Sequence, residues 1–134
     1  SFMFLSDLIR SIKNPSRVDF MRVSSYGSAM KSKGEITITK DLEEDIEGKN
    51  VIIVEDIIDS GLTLKVIKEM LIKRRPKTLK ICALLDKKAC RVVEMEGDYV
   101  GLAIDDGFVV GYGIDYAEYY RNLPNICIVE EDSL

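Results

Sequence analysis

The stretch Val51-Ile52-Ile53-Val54-Glu55-Asp56-Ile57-Ile58-Asp59-Ser60-Gly61-Leu62-Thr63 decides the fold. A short, continuous β-branched run such as Val51 to Val54 is what a parallel strand buried on both faces requires. It passes through two acids and a Ser-Gly turn into a helical pattern, with Val66, Ile67, Met70 and Leu71 on one face. Lys65 and Lys68 supply its polar side, Lys73, Arg74 and Arg75 its basic end, and Pro76 stops it. Further apolar runs follow at Leu79 to Leu85, Val100 to Ile104 and Phe108 to Val110. A helical turn is expected around Asp115 to Asn122, before a last run at Ile126 to Val129. Strands alternating with helices predict an α/β fold, a mostly parallel twisted sheet flanked by helices. Such sheets bind ligands beyond the carboxyl ends of their strands, where Glu55 to Thr63 lies.

Upstream, Leu5, Leu8, Ile9 and Ile12 recur at helical spacing until Asn14-Pro15. Val18 to Val23 reads as a strand, and Ile36 and Ile38 alternate with polar residues as a return strand. Between them Ser24 to Gly34 is small and polar, far longer than a tight hairpin turn; loops of that length are functional or mobile. Asp41 to Glu47 is an acidic run read as a solvated connection.

Composition narrows the function. The 134 residues predict a single domain, 1–134, and a chain of this size buries about two-thirds of its unfolded surface. With 46% hydrophobic and 31% charged residues it is neither disordered nor repetitive. A net charge of −4 leaves no basic excess to neutralise phosphates, so nucleic acid is not an expected partner. The absence of His removes Ser-His-Asp and Cys-His nucleophilic machinery and His-based metal sites. Cys82, Cys90 and Cys127 are odd in number and form no CxxC pair, so a disulfide framework is not expected. Cys82 and Cys127 are read as small core residues of a protein in a reducing, cytoplasmic compartment. The apolar runs are too short for a membrane span.

At the end of a strand, Gly61 permits close backbone approach, and the following helix offers unpaired amides at its positive end. Ser60 and Thr63 add hydroxyl donors, which together make a phosphate cradle. Glu55 and Asp56 are odd partners for phosphate alone; they suit ligand hydroxyls or a magnesium ion, and a sugar phosphate presents both needs. The residues alone equally fit a strand-to-helix turn whose acids cap the helix. Likewise, Phe108 fits strand core and Lys87-Lys88 a solvated pair.

The Val51 to Gly61 stretch resembles the phosphoribosyl-pyrophosphate signature of type I phosphoribosyltransferases. Leu84-Leu85-Asp86-Lys87-Lys88 and the segment Phe108 to Arg121, with Phe108-Val109-Val110-Gly111-Tyr112-Gly113-Ile114-Asp115-Tyr116, narrow the resemblance to the hypoxanthine-guanine phosphoribosyltransferases. It extends from Ser1 to about Val129 in the family's order and spacing. What the resemblance implies is transfer of 5-phosphoribosyl from phosphoribosyl pyrophosphate to hypoxanthine or guanine, giving IMP or GMP and pyrophosphate. A non-catalytic regulator of the same fold and an inactive fragment of the enzyme are the alternatives.

The resemblance also implies roles. Glu55 and Asp56 bind the ribose hydroxyls, and with Asp115 they reach Mg2+. The segment Ile57, Ile58, Asp59, Ser60, Gly61, Leu62, Thr63 contributes to the substrate site, with Asp59 to Thr63 around the 5′-phosphate and Asp59 as general acid/base. Lys87 donates to the purine 6-oxo group, Phe108 stacks on the base, backbone at Val109 meets its edge, and Arg121 meets pyrophosphate. Ser25-Tyr26 begins a lid that closes over the reaction. Tyr116, Tyr119 and Tyr120 are read as helix packing outside the site. A homo-oligomer, dimer or tetramer, is implied. Two departures stand out. Asp86 stands where the family often has an apolar residue, in a position to pair with Lys87 or Lys88. Members of the family also carry several dozen residues before the position of Ser1, including a strand and a Leu-Lys-Gly loop that holds pyrophosphate. If Ser1 were the true start, little activity would be expected.

Overall fold

The computed structural model describes residues 1–25 and 36–129. Strand β3 (Asn50–Ile58) leads through the Asp59-Ser60-Gly61 turn into helix α2 (Leu62–Ile72), and the chain returns as β4 (Thr78–Lys87). Strands β3, β4 and β5 (Tyr99–Ile104) form a parallel sheet in that order, so β4 is central. Its register pairs Val51 with Leu79 and Ile58 with Asp86, and then Lys87 with Ile104. All three strands therefore end on one side, with Asp59 and Lys87 one step beyond a paired row.

The apolar stripe of α2 lies on this sheet. Leu64 packs with Ile58, Ile81, Ala83 and Met95, while Ile67 and Leu71 pack with Ile46. Burial on both faces is seen in β4, where the adjacent Leu85 and Asp86, on opposite faces, are 1% and 4% exposed, whereas Ile52 of β3 is 51% exposed. Among the described residues β3 pairs with β4 alone.

Three smaller elements complete the frame. Helix α1 (Phe2–Ser11) packs against β3. Strands β1 (Arg22–Ser25) and β2 (Ile36–Lys40) pair antiparallel, as the alternation of Ile36 and Ile38 predicts. The strand does not extend back to Val18. There, Asp19 uses its carboxylate to accept the N–H groups of Phe20, Glu43 and Glu44, at 2.7, 2.8 and 3.1 Å, which organises the acidic connection. Strands β6 (Phe108–Val110) and β7 (Cys127–Val129) form an antiparallel pair. Val109 and Ile114 pack with Leu85 behind it.

Two expectations fail here. No helical turn forms around Asp115 to Asn122; Tyr116 and Tyr119 instead form an isolated antiparallel bridge. Ala117, Glu118 and Tyr120 have φ of 50°, 71° and 73°, which no right-handed helix can contain. The tyrosines of this loop are accordingly exposed rather than packed along a helix. Cys127 is exposed too, because it sits on a two-stranded ribbon and not in the central sheet.

Candidate active site at the ends of the parallel strands

A cavity of about 170 Å³ opens at the end of β3, lined by Glu55, Ile57, Ile58, Asp59, Ser60, Gly61, Thr63 and Leu64. Residues this close in sequence line one cavity because a strand, a tight turn and a helix start fold back on one another. The turn depends on Gly61, whose φ of +81° places it in the left-handed region just before α2. Glycine at the cap has no side chain to satisfy the first amides of the helix; among the described residues Ser60 Oγ accepts the Leu62 N–H, at 3.4 Å. The positive end of α2 thus faces an exposed Asp59 and two hydroxyls, Ser60 and Thr63.

The acids before the turn behave differently from each other. Burial, reinforced by the adjacent charge of Asp56, pushes the Glu55 carboxyl up to about 7, although the Ser1 amine acts in the opposite sense. Asp56 accepts the Ile57 N–H at 2.9 Å, and the Ser1 amine stands 2.9 Å from its other oxygen.

Lys87 ends β4, the strand paired with β3. Its ammonium donates to the Gly107 carbonyl at 2.9 Å and lies 3.5 Å from Asp106. Burial alone would lower its pKa, but Cys90, Asp59 and Asp106 act the other way and the net direction is upward. The bond to Gly107 ties the end of β4 to the turn before Phe108. The Phe108 ring is 44% exposed and stands on the β6 edge, with Tyr116 edge-on at 5.3 Å and 86°. Val109 beside it is buried.

A third group sits in the loop after β6. Arg121 pairs with Asp115 at 3.0 Å and donates to the Gly113 carbonyl at 2.9 Å, while Asp115 also accepts the Glu118 N–H at 2.8 Å. Glu55 and Asp56 on the one side and Asp115 on the other do not form a three-acid cluster among the described residues. Ser25 ends β1, paired with Ile36, and Tyr26 lies outside the described residues together with most of the Ser24 to Gly34 loop.

Sequence reading missed two residues. Tyr116, expected on a helix, meets the Phe108 ring instead; the signal is an aromatic eight residues further along a segment that turns back. Arg91 was not singled out, yet it takes the buried Asp86 as its partner, so that Asp86 pairs with neither Lys87 nor Lys88.

The phosphoribosyl transferase domain family matches residues 1–117. The hypoxanthine-guanine phosphoribosyltransferase of Aquifex aeolicus is 52% identical over 131 residues, covering 98% of this chain and 74% of that protein. Among solved structures, a hypoxanthine phosphoribosyltransferase from Staphylococcus aureus superposes with a TM-score of 0.93 at 50% identity, over 98% of this chain and 72% of the other. The Trypanosoma cruzi hypoxanthine phosphoribosyltransferase in complex with its product IMP gives 0.92 at 42% identity, over 99% and 72%. With the strand–turn–helix cradle and Lys87 carried at the same end of one parallel sheet, the chain belongs to the phosphoribosyltransferase family, among its hypoxanthine-guanine members.

Proposed function

We propose that the protein transfers the 5-phosphoribosyl group of phosphoribosyl pyrophosphate to hypoxanthine or guanine, forming IMP or GMP and releasing pyrophosphate in purine salvage. The observation that carries this reading is the approach of two unlike half-sites. An anion cradle at Asp59 to Thr63 follows β3, and Lys87, tied through the Gly107 carbonyl to the turn before Phe108, ends the neighbouring strand β4 on the same side of the sheet.

In this reading the 5′-phosphate sits on the amides and hydroxyls at the start of α2. Glu55 and Asp56 accept the ribose hydroxyls. The base lies against Phe108 beside the Val109 backbone, with Lys87 donating to its 6-oxo oxygen. An ammonium has donors only, so it suits an oxo group and not the amino group of adenine. Asp59, between cradle and base, takes or returns the proton of the five-membered purine ring as the bond to ribose forms. Arg121 serves the pyrophosphate end, and Ser25-Tyr26 begins the segment that closes over the reacting centre.

Mg2+ takes oxygen ligands and often binds through one or two carboxylates, with water and substrate phosphates completing its shell. Glu55 and Asp56 fit that requirement beside the ribose, and Asp115 fits it beside the pyrophosphate. Bound there, the ion would neutralise the charge of the departing pyrophosphate. Residence in the cytoplasm and assembly into a dimer or tetramer belong to the same reading; no helix among the described residues is long and apolar enough to cross a membrane.

Turnover of the full-length protein with each base tests the proposal. Hypoxanthine and guanine should be consumed in the presence of phosphoribosyl pyrophosphate and magnesium, and adenine scarcely at all. Ligand binding without turnover of any base would instead favour a regulator of the same fold.

A further inference from the structure

Arg91 follows the short 3-10 turn Lys88–Cys90, and its side chain is only 15% exposed. Its guanidinium faces carbonyls as well as a carboxylate. Nε donates to the Asp59 carbonyl at 3.0 Å, one terminal nitrogen donates to Met95, and the other to Asp86 and, at 3.4 Å, to the Ile58 carbonyl. The next residue continues the pattern, with the Val92 N–H donating to the Ser60 carbonyl at 3.0 Å. Consecutive carbonyls of the turn are thus captured from one side by consecutive groups of the 91–92 segment.

The peptide bonds here are trans, so the N–H that follows each carbonyl points the opposite way. Holding the Asp59 and Ser60 carbonyls toward Arg91 and Val92 turns the Ser60 and Gly61 amides away from them. Neither amide has a hydrogen-bond partner among the described residues. The cavity lined by Ser60, Gly61 and Thr63 does not include Arg91, which instead lines a separate depression with Lys88, Glu94, Met95 and Glu96. Packing agrees with this placement. A Cβ on Gly61 would come within 3.1 Å of Val93 and Met95 and 3.2 Å of Arg91, so the 91–95 segment backs the turn.

We propose that Arg91 is a positioning residue of the phosphate cradle, held by the buried Asp86, and that it aims the Ser60 and Gly61 amides at the anion. The inference rests on reading this turn as the seat of the 5′-phosphate. Only a planar fork can serve Asp59, Met95 and Asp86 together. Lysine would keep the charge opposite Asp86 but release carbonyls.

The test compares IMP with inosine, which lacks the phosphate, in calorimetric binding to the full-length protein and its Arg91→Lys variant. IMP should bind about ten- to a hundredfold more weakly to the variant, with inosine changed less than about twofold, since a small misplacement of preorganised groups costs on that order. An unchanged ratio of IMP to inosine affinity would overturn the role given to Arg91. Should Arg91→Lys fail to fold, amide exchange in the parent protein decides: IMP should slow exchange at Ser60 and Gly61 and inosine should not, and no slowing by IMP overturns the inference. A parent that binds IMP no better than inosine would remove the phosphate reading itself, which separates that failure from one confined to Arg91.

Discussion

Replacing Gly61 by alanine probes the turn from which the site is built, and the structure supplies its own control. Gly61 has φ of +81° and Gly48 has φ of +68°, so alanine pays the left-handed penalty of about 1–2 kcal/mol at both positions. Reduced freedom of the unfolded chain returns roughly 0.4–1 kcal/mol in each case. Their surroundings differ. A Cβ at Gly48 meets nothing within 4 Å, whereas one at Gly61 lies 3.1–3.2 Å from Val93, Met95 and Arg91 side-chain atoms. Crowding of that kind in a packed region costs about 1–3 kcal/mol. Gly48→Ala should therefore lose about 1 kcal/mol or less, and Gly61→Ala about 2–4 kcal/mol. Urea unfolding of the two variants beside the parent measures both, and their difference isolates the crowding. Equal losses within about 0.5 kcal/mol would refute the packing of the 91–95 segment behind the turn.

Three further outcomes are expected. Asp59→Asn should lower turnover by about a hundred- to ten-thousandfold with the affinity for phosphoribosyl pyrophosphate retained, and unchanged kcat would remove Asp59 from proton transfer. Lys87→Ala should reduce the preference for hypoxanthine over adenine, which in the parent is expected to approach about ten-thousandfold in kcat/KM; nearly equal efficiencies for the two bases in the parent would mean that Lys87 does not read the 6-position. The fold holds the Glu55 proton up to about pH 7 while the unfolded chain releases it near 4.5, so the folded state binds more protons across that window. Stability of the ligand-free protein should accordingly fall as pH rises through it, by about 3 kcal/mol at full effect, and pH-dependent unfolding of Glu55→Gln should lack that component.

What could be read in advance follows the range of the interactions involved. The β3–turn–α2 unit is legible because each part is local. A β-branched run, a glycine at the turn and an amphipathic stretch of 11 residues each carry their own period or backbone requirement. The 115–122 loop misleads for the same reason. Tyr116, Tyr119 and Tyr120 imitate the spacing of a helix face, but Gly111 and Gly113 at φ of 94° turn the chain back, and non-glycine residues then adopt positive φ. Gly111 also sits so close to the Asn125 carbonyl that no side chain would fit, at 2.0 Å from a Cβ. A long-range contact therefore sets the loop's shape, and local periodicity does not report it. Cys127 is misjudged on similar grounds, since an apolar run reads the same in a two-stranded ribbon as in a central sheet.

The site divides along the same line. Candidate ligand-facing groups stand out by chemical type: acids before a Ser-Gly turn, a lysine at a strand end, an aromatic at the next strand. Arg91 does not, because most of what it binds is main-chain carbonyl, and every residue has one. Nothing in the identities of Ile58, Asp59 or Met95 marks them as acceptors for a guanidinium 33, 32 or 4 residues away in the chain. The one side-chain clue is Asp86, an acid on the central strand of the sheet and 4% exposed. A carboxylate so buried requires a cationic partner. Two lysines follow it directly, but Lys87 is drawn to Gly107 and Lys88 begins the next turn, which leaves the arginine five positions on, arriving from the far side of that turn. An acid where an apolar residue was expected thus becomes the anchor of the group that orients the turn, and the departure from pattern and the unforeseen arginine have one physical cause.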